Sequence, residues 1–292
     1  MEWIRSWVFY AHELGYLPDM FQYAFLTNAL VSALLIGPLL GVLGPLVVVK
    51  RLAFFSEAVG HGALTGVALG ILLGEPATEP FVTLFAFCVI FALLLHWIKS
   101  RTSVPYDALV GVFLSFAIAL GAALILFVAK RVNVHILENV LFGSILTVRD
   151  LDIWVLLGIA AILTLLLGFK GNRATLSSLS PELAMTQGIA VRLYDYIFVL
   201  IIALVTVASV KVVGAILVGA LLLIPATAAR LMSRNAREFV LYSVLISTLS
   251  CVFGILLPMA GALPIPSGAA IVMLASASFI FALAIRRWRA IL

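Results

Sequence analysis

At 292 residues the chain is 64% hydrophobic and 11% charged, with a mean hydropathy of +1.25. Soluble domains carry about 25% charged residues, so this composition excludes a soluble enzyme and defines a polytopic membrane protein. The net charge of +5 comes from basic residues scattered singly between apolar runs, which read as topology signals and not as a nucleic-acid footprint.

Residues 1–25 form an N-terminal segment in which Glu2, Arg5, Glu13 and Asp19 alternate with aromatic side chains; it lacks a cleavable signal pattern and reads as an interfacial amphipathic helix on the extracytoplasmic side. Nine apolar runs follow, at roughly 26–49, 57–74, 81–98, 107–128, 151–169, 194–210, 213–231, 239–258 and 268–285. In the first run Pro38 and Pro45 stand beside Gly37, Gly41 and Gly44, a pattern for a bent helix packed closely on its neighbours. The sixth and seventh runs meet at a tight turn expected near Lys211; together they are too long for one span of ~30 Å. The expected fold is therefore all-α, a bundle of 8–9 transmembrane helices over 26–288.

Orientation follows from the cations. With the N-terminus outside and the C-terminus cytoplasmic, only Arg5, Lys130, Arg131, Arg149 and Lys211 of the 18 Lys and Arg lie outside, together with the acidic loop Glu75–Glu79. The cytoplasmic loop 170–193 then contains a polar, turn-like Gly171-Asn-Arg-Ala-Thr, followed by Ser180-Pro181-Glu182-Leu183. An N-cap residue, a proline at the first helical position and an early carboxylate predict a short helix from Pro181 to about Gln187, stopped by Gly188. It reads either as a simple surface helix or as a handle for a soluble partner.

Two ionisable residues fall inside the second run. Glu57 and His61 are four apart, on one helix face one turn from each other. An ionisable group at mid-bilayer costs roughly 2.5–3.5 kcal/mol, and carboxylate plus imidazole is a ligand set for borderline divalent metals. The alternative is a polar pair that orders helix packing. Gly62, Gly66, Gly70 and Gly74 recur every fourth residue on the same helix and leave a groove for a close neighbour.

The remaining candidates are weaker. His12 and His96 read as interfacial residues, and Asp107 as an acidic residue favoured by a helix N-terminus. His135 and Glu138, in the outer loop, read as a solvated pair or as groups that meet an incoming cation. Pro225, near the inner end of the seventh run, frees carbonyls that could line a pathway. Cys88 and Cys251 lie in apolar runs and support neither a disulfide framework nor a cysteine metal site. With no G-x-x-x-x-G-K-[ST] and no H-E-x-x-H, the chain has no P-loop and no zinc-protease motif. Enzyme chemistry is not expected.

Several blocks resemble the permease subunits of bacterial zinc and manganese ABC importers. Glu57-Ala-Val-Gly-His61-Gly-Ala-Leu-Thr-Gly66 is similar to the family's D-x-x-S-H-x-x-x-P-G. Leu141-Phe-Gly-Ser-Ile-Leu146 matches L-F-G-x-x-L, and Ser180-Pro-Glu-Leu-Ala184 with Gly188 matches D-P-E-L-A-x-x-x-G. Gly214 to Ala226 matches G-x-L-L-V-x-A-L-L-x-x-P-A, and the blocks run in family order. Glu57 stands where the family has aspartate, Gly60 for serine, Thr65 for proline and Ser180 for aspartate.

The resemblance implies an inner-membrane homodimer with a cytoplasmic ATP-binding subunit and an extracytoplasmic metal-binding protein. ATP would be used only through the partner, and no cofactor would be bound permanently. The helix near 181–191 would couple to the ATPase through Pro181, Glu182, Leu183, Ala184 and Gly188. The cargo would be a divalent transition metal, zinc before manganese with iron compatible, passing Glu57 and His61. The alternatives are an ATPase-independent secondary transporter and a structural membrane scaffold. A secondary transporter would show matching ionisable residues in inverted halves, and no carboxylate beyond 194 clearly matches Glu57.

Overall fold

The computed structural model describes residues 1–16, 18–76, 80–128, 148–261 and 265–289. The Leu141–Leu146 block and the His135/Glu138 pair lie outside these residues. The described chain is helical: α1 (Glu2–Glu13), α2 (Ala24–Val49), α3 (Ala53–Leu72), α4 (Phe81–Arg101), α5 (Tyr106–Val128), α6 (Asp150–Leu179), α7 (Pro181–Thr186), α8 (Val191–Val213), α9 (Ala215–Met232), α10 (Ala236–Ala260) and α11 (Ser267–Arg289), with a 3₁₀ turn at Asp19–Gln22. Among the described residues eight helices are long and apolar enough to cross a membrane, and α9 adds a shorter apolar helix, counted over Leu217–Met232. The fold class expected from sequence is therefore present.

Helices α2, α3 and α8, together with most of the shorter α9, form the inside. The apolar stretches of α2, α3 and α8 are 61%, 72% and 67% buried, whereas those of α4, α5, α6 and α11 are 22–28% buried and present their apolar side chains outward. In lipid such outward faces need no cover, so helix association rests on packing and polar contacts. Glycines supply the close packing. A Cβ added to Gly37 would stand 2.7 Å from the Thr248 backbone, and one added to Gly41 would stand 2.6 Å from that of Val244, so α2 lies directly on α10. On α3, a Cβ at Gly66 would come within 3.0 Å of the Leu84 Cα, and one at Gly70 within 2.8 Å of the Pro80 ring. The spaced glycines of α3 thus face α4.

Antiparallel α4 and α8 are joined at both ends. At one end the His96 ring meets Tyr196 edge-on at 4.6 Å, and at the other the Lys211 ammonium lies over the Phe81 ring. Beside the first contact Lys50 pairs with Asp195 and covers the Phe198 ring. Beside the second, Lys211 pairs with Asp152 at 2.9 Å, while Asp152 also accepts the Arg149 backbone N–H at 3.1 Å. Arg5 of α1 reaches across this same end to Asp150 and Asn28, and Asn28 donates to the Val148 carbonyl. Helix α1 is thereby tied to the bundle.

Three local expectations are corrected. The stretch 171–175 is not a turn: α6 continues through it to Leu179, because nothing there except Gly171 opposes helix. The joint between the sixth and seventh runs falls at Gly214, not near Lys211, which remains inside α8. Gly214 has φ +91° and ψ 155°, a region open essentially only to glycine. Ser180 occupies the N-cap position of α7 but its side chain makes no capping bond.

Both α3 glycines should reject bulk. Gly66→Leu and Gly70→Leu each push a side chain into α4, where overpacking costs about 1–3 kcal/mol or more. A clear fall in the unfolding temperature of the detergent-solubilised protein is expected, with Gly74→Leu excluded as a control because of its left-handed backbone. Wild-type stability in both variants would show that α3 and α4 can separate freely.

Candidate functional site

Glu57 and His61 sit on α3, and both are half-buried. Their setting follows from the contacts that fix the helix's rotation. Gly60 packs toward Val210 and Ala215, which flank the α8–α9 joint, with a Cβ there 3.5 Å from Val210. Thr65 donates its hydroxyl to the Ala117 carbonyl of α5 at 2.9 Å. At about 100° per residue, Glu57 and His61 fall between these two contact directions, about 40° from each other. The same stripe carries Phe54, which is 57% exposed. On the most buried span of the chain, this polar stripe is the part left partly open.

No hydrogen bond or ion pair joins Glu57 or His61 to another described residue, in contrast to Lys50, Lys211, Asp150, Asp152 and Asp195, all of which have partners. Among the described residues no three His, Cys, Asp or Glu side chains come together. A single chain therefore presents at most this two-ligand set here, half of what zinc normally takes.

The second candidate region lies at the end of the bundle that carries Lys50. Helix α7 begins with Pro181 in its first turn, with Glu182 acidic beside it. Ala184 is completely buried, whereas Leu183 and Met185 are 57% and 59% exposed. Gly188, at φ +73°, closes the helix: its N–H bonds to the Met185 carbonyl at 3.0 Å and that of Ile189 to Ala184 at 2.9 Å. This is the left-handed C-terminal closure for which glycine is favoured. A cavity of ≈ 520 Å³ adjoins α7, lined by Asn172 and Arg173 of α6, Gln187, Gly188 and Tyr194.

Sequence reasoning singled out neither Asp152 nor Asp195. Each lies within the first turns of an apolar run, where a carboxylate reads as a helix-start charge. Asp107 conforms to that expectation in the first turn of α5. His12 stands 3.6 Å from Asp19, a contact confined to the N-terminal segment. Cys88 and Cys251 are buried free thiols.

A membrane bundle in which a short helix between spans carries exposed apolar side chains, and whose most buried described span carries a carboxylate and an imidazole without a partner among the described residues, has the design of a transporter subunit. Residues 22–286 match the family described as the ABC 3 transport family, and the chain belongs to it. Among its relatives, the "High-affinity zinc uptake system membrane protein ZnuB" of Haemophilus influenzae is 32% identical over 82% of this chain and 88% of that protein. The "Manganese transport system membrane protein MntC" of Listeria innocua is 29% identical over 91% of this chain and 92% of its own length. Among solved structures, a chain of "PsaBC from Streptococcus pneumoniae in complex with Fab" is similar with a TM-score of 0.77 at 28% identity, covering 89% of this chain and 91% of that one.

The Lys211–Asp152 pair has a testable weight. Breaking a buried pair costs roughly 3–5 kcal/mol at full burial, and less here because Lys211 remains 21% exposed. Asp152→Asn should therefore lower the unfolding temperature more than the double variant Asp152→Leu/Lys211→Met, which removes both charges. The reverse order would mean that the pair is solvated.

Proposed function

We propose that this chain is the membrane-spanning permease subunit of an importer that brings a divalent transition-metal cation into the bacterial cytoplasm, powered by separate ATP-binding subunits. One observation carries the reading: on the most buried of the described spans, a carboxylate and an imidazole one turn apart have no hydrogen-bond or ion-pair partner among the described residues. Holding such groups within a membrane span is costly unless a ligand offsets it.

Two copies of the chain would supply the missing ligands. The Glu57/His61 stripe lies on the partly open side of α3, and a two-fold axis facing that side would bring two carboxylates and two imidazoles together. A four-ligand N₂O₂ set suits zinc before manganese on coordination grounds. The relatives are named for both metals, so the proposal is for the class. Neutral imidazole is required for binding, so uptake through this site would fall as His61 is protonated.

The remaining assignments follow from the same reading. Residues 26–288 act as the transport domain, residues 1–25 as an interfacial segment outside, and the C-terminus is cytoplasmic, the side to which the positive-inside asymmetry assigns Lys50, Lys99 and Arg192. An extracytoplasmic protein delivers the ion at the outer mouth, the part of the chain that includes His135 and Glu138. On the cytoplasmic side, the exposed Leu183 and Met185 of α7 offer an apolar contact for the ATP-binding subunit. Pro181, Glu182, Ala184 and Gly188 shape that helix and its closure.

The decisive measurement is metal uptake per folded complex. His61→Ala and Glu57→Gln should each abolish uptake while leaving the complex as stable as wild type, and Glu57→Asp should retain substantial uptake. A scaffold role predicts loss of assembly with unchanged specific uptake, and unchanged uptake per complex in His61→Ala would remove His61 from the path. Uptake independent of ATP would favour a secondary transporter. Separately, Glu182→Ala/Leu183→Ala should release the copurifying ATP-binding subunit from a protein that still folds; normal copurification and coupling would exclude α7 as the contact.

A further inference from the structure

At the end of the bundle that carries Lys50, the last turns of α4 and the first turns of α8 enclose a cleft of ≈ 560 Å³, within the roughly 300–1,000 Å³ of small-molecule clefts. Lys99, Arg101 and Arg192 line it, with Ser100 between them. One carboxylate lines it as well, Asp195, which is already paired with Lys50 outside the lining set. The Lys99 ammonium is turned to the Val104 carbonyl at 2.9 Å, and the Arg101 guanidinium stands over the Trp97 ring, 6.0 Å from its centroid. These are neutral acceptors and leave the charges uncompensated. With three cations against one paired carboxylate, the cleft is a positive site.

What lies next to it identifies the anion's class. Ile90, Leu94 and Trp97 of α4 are 64%, 45% and 50% exposed, and Arg101 is exposed on the following turn. Their spacing of four, three and four residues places them in one stripe along the helix. The stripe climbs about 16 Å from Arg101 into the apolar span at 1.5 Å per residue. An occupant that uses both the cations and the stripe is anionic at one end and apolar along its length. A soluble protein partner could use only the rim.

We propose that the cleft between the ends of α4 and α8 binds the phosphate head group of an anionic membrane lipid, whose acyl chains lie along Ile90, Leu94 and Trp97. Basic pockets between transmembrane helices are recognised sites for such head groups. That the leaflet is the cytoplasmic one rests on the orientation proposed above; the binding does not.

The test is native mass spectrometry of the full-length chain in detergent, titrated with dioleoylphosphatidylglycerol and, separately, with dioleoylphosphatidylcholine. The wild type should prefer the anionic lipid, and Arg101→Gln/Arg192→Gln should weaken that binding about fivefold for each cation removed. Arg101→Lys/Arg192→Lys should retain most of the affinity, which separates lost charge from lost fold. The pair Arg286→Gln/Arg287→Gln, exposed at the end of α11, should change little. Equal weakening by that pair would overturn the site in favour of general surface charge. Displacement of the lipid by millimolar inorganic phosphate would overturn the lipid as occupant. Unchanged lipid binding with loss of the ATP-binding subunit in Arg101→Gln/Arg192→Gln would make the cleft a protein contact instead. Sidedness is read separately, by labelling Ser100→Cys with an impermeant maleimide on sealed cells: labelling from outside would reverse the orientation and leave the lipid result standing.

Discussion

A charge at the edge of a bilayer has little water to turn to, and this constraint arranges the ion pairs that tie the bundle together. Lys50 finds Asp195 and the Phe198 face, Lys211 finds Asp152 and the Phe81 face, and Arg5 finds Asp150 and Asn28. Each of these joins helices distant in sequence, at one end of the bundle or the other. Partly buried pairs of this kind contribute little net stability, because desolvation offsets their attraction, but a wrong arrangement leaves a bare charge, penalised most at the least exposed pair, Lys211–Asp152. They act on which packing is allowed more than on how stable it is. Between them the apolar length of the bundle is held by shape, with the glycines of α2 and α3 allowing backbones to touch. Glu57 and His61, inside the most buried of the described spans, have no such partner among the described residues, and that is where transport is proposed.

Much of this was legible in the sequence because a membrane span is a local signal. Length and apolarity are properties of a continuous window, so all nine runs became helices, and Pro181 with Gly188 bounded α7 within a residue of its expected end. The placing of Glu57 and His61 on one helix face was legible for a related reason: four residues on a helix is a fixed geometry, whatever the rest of the chain does. The glycines at Gly66 and Gly70 likewise announced a close neighbour, although nothing in the sequence said that α4 would be it.

What was not legible is long-range or depends on competition between signals. Lys211 looked like a turn residue because a charge interrupts two apolar runs, yet its carboxylate partner 59 positions away allows the helix to carry it, and the break moves to Gly214, where the backbone demands glycine. Asp195 drew no attention in the sequence, because its partner Lys50 lies far away on the chain and meets it only in the folded bundle. The polar stretch after Lys170 looked like a turn, but polarity ends a membrane span without ending a helix, and α6 continues beyond it.

The joint at Gly214 has a mechanical meaning. With one residue between α8 and α9, the two helices share an end and can rotate about it but cannot slide apart. At its other end α8 is separated from α7 by only four residues, Gln187 to Ala190, so α7, α8 and α9 are three rods joined by two short connections. Val210 and Ala215, on either side of the second connection, bear directly on Gly60, which lies between Glu57 and His61. Were α7 displaced by a partner, as in the proposed function, the movement would reach the turn of α3 that holds both ionisable side chains through this joint, with Gly60 as the residue in contact.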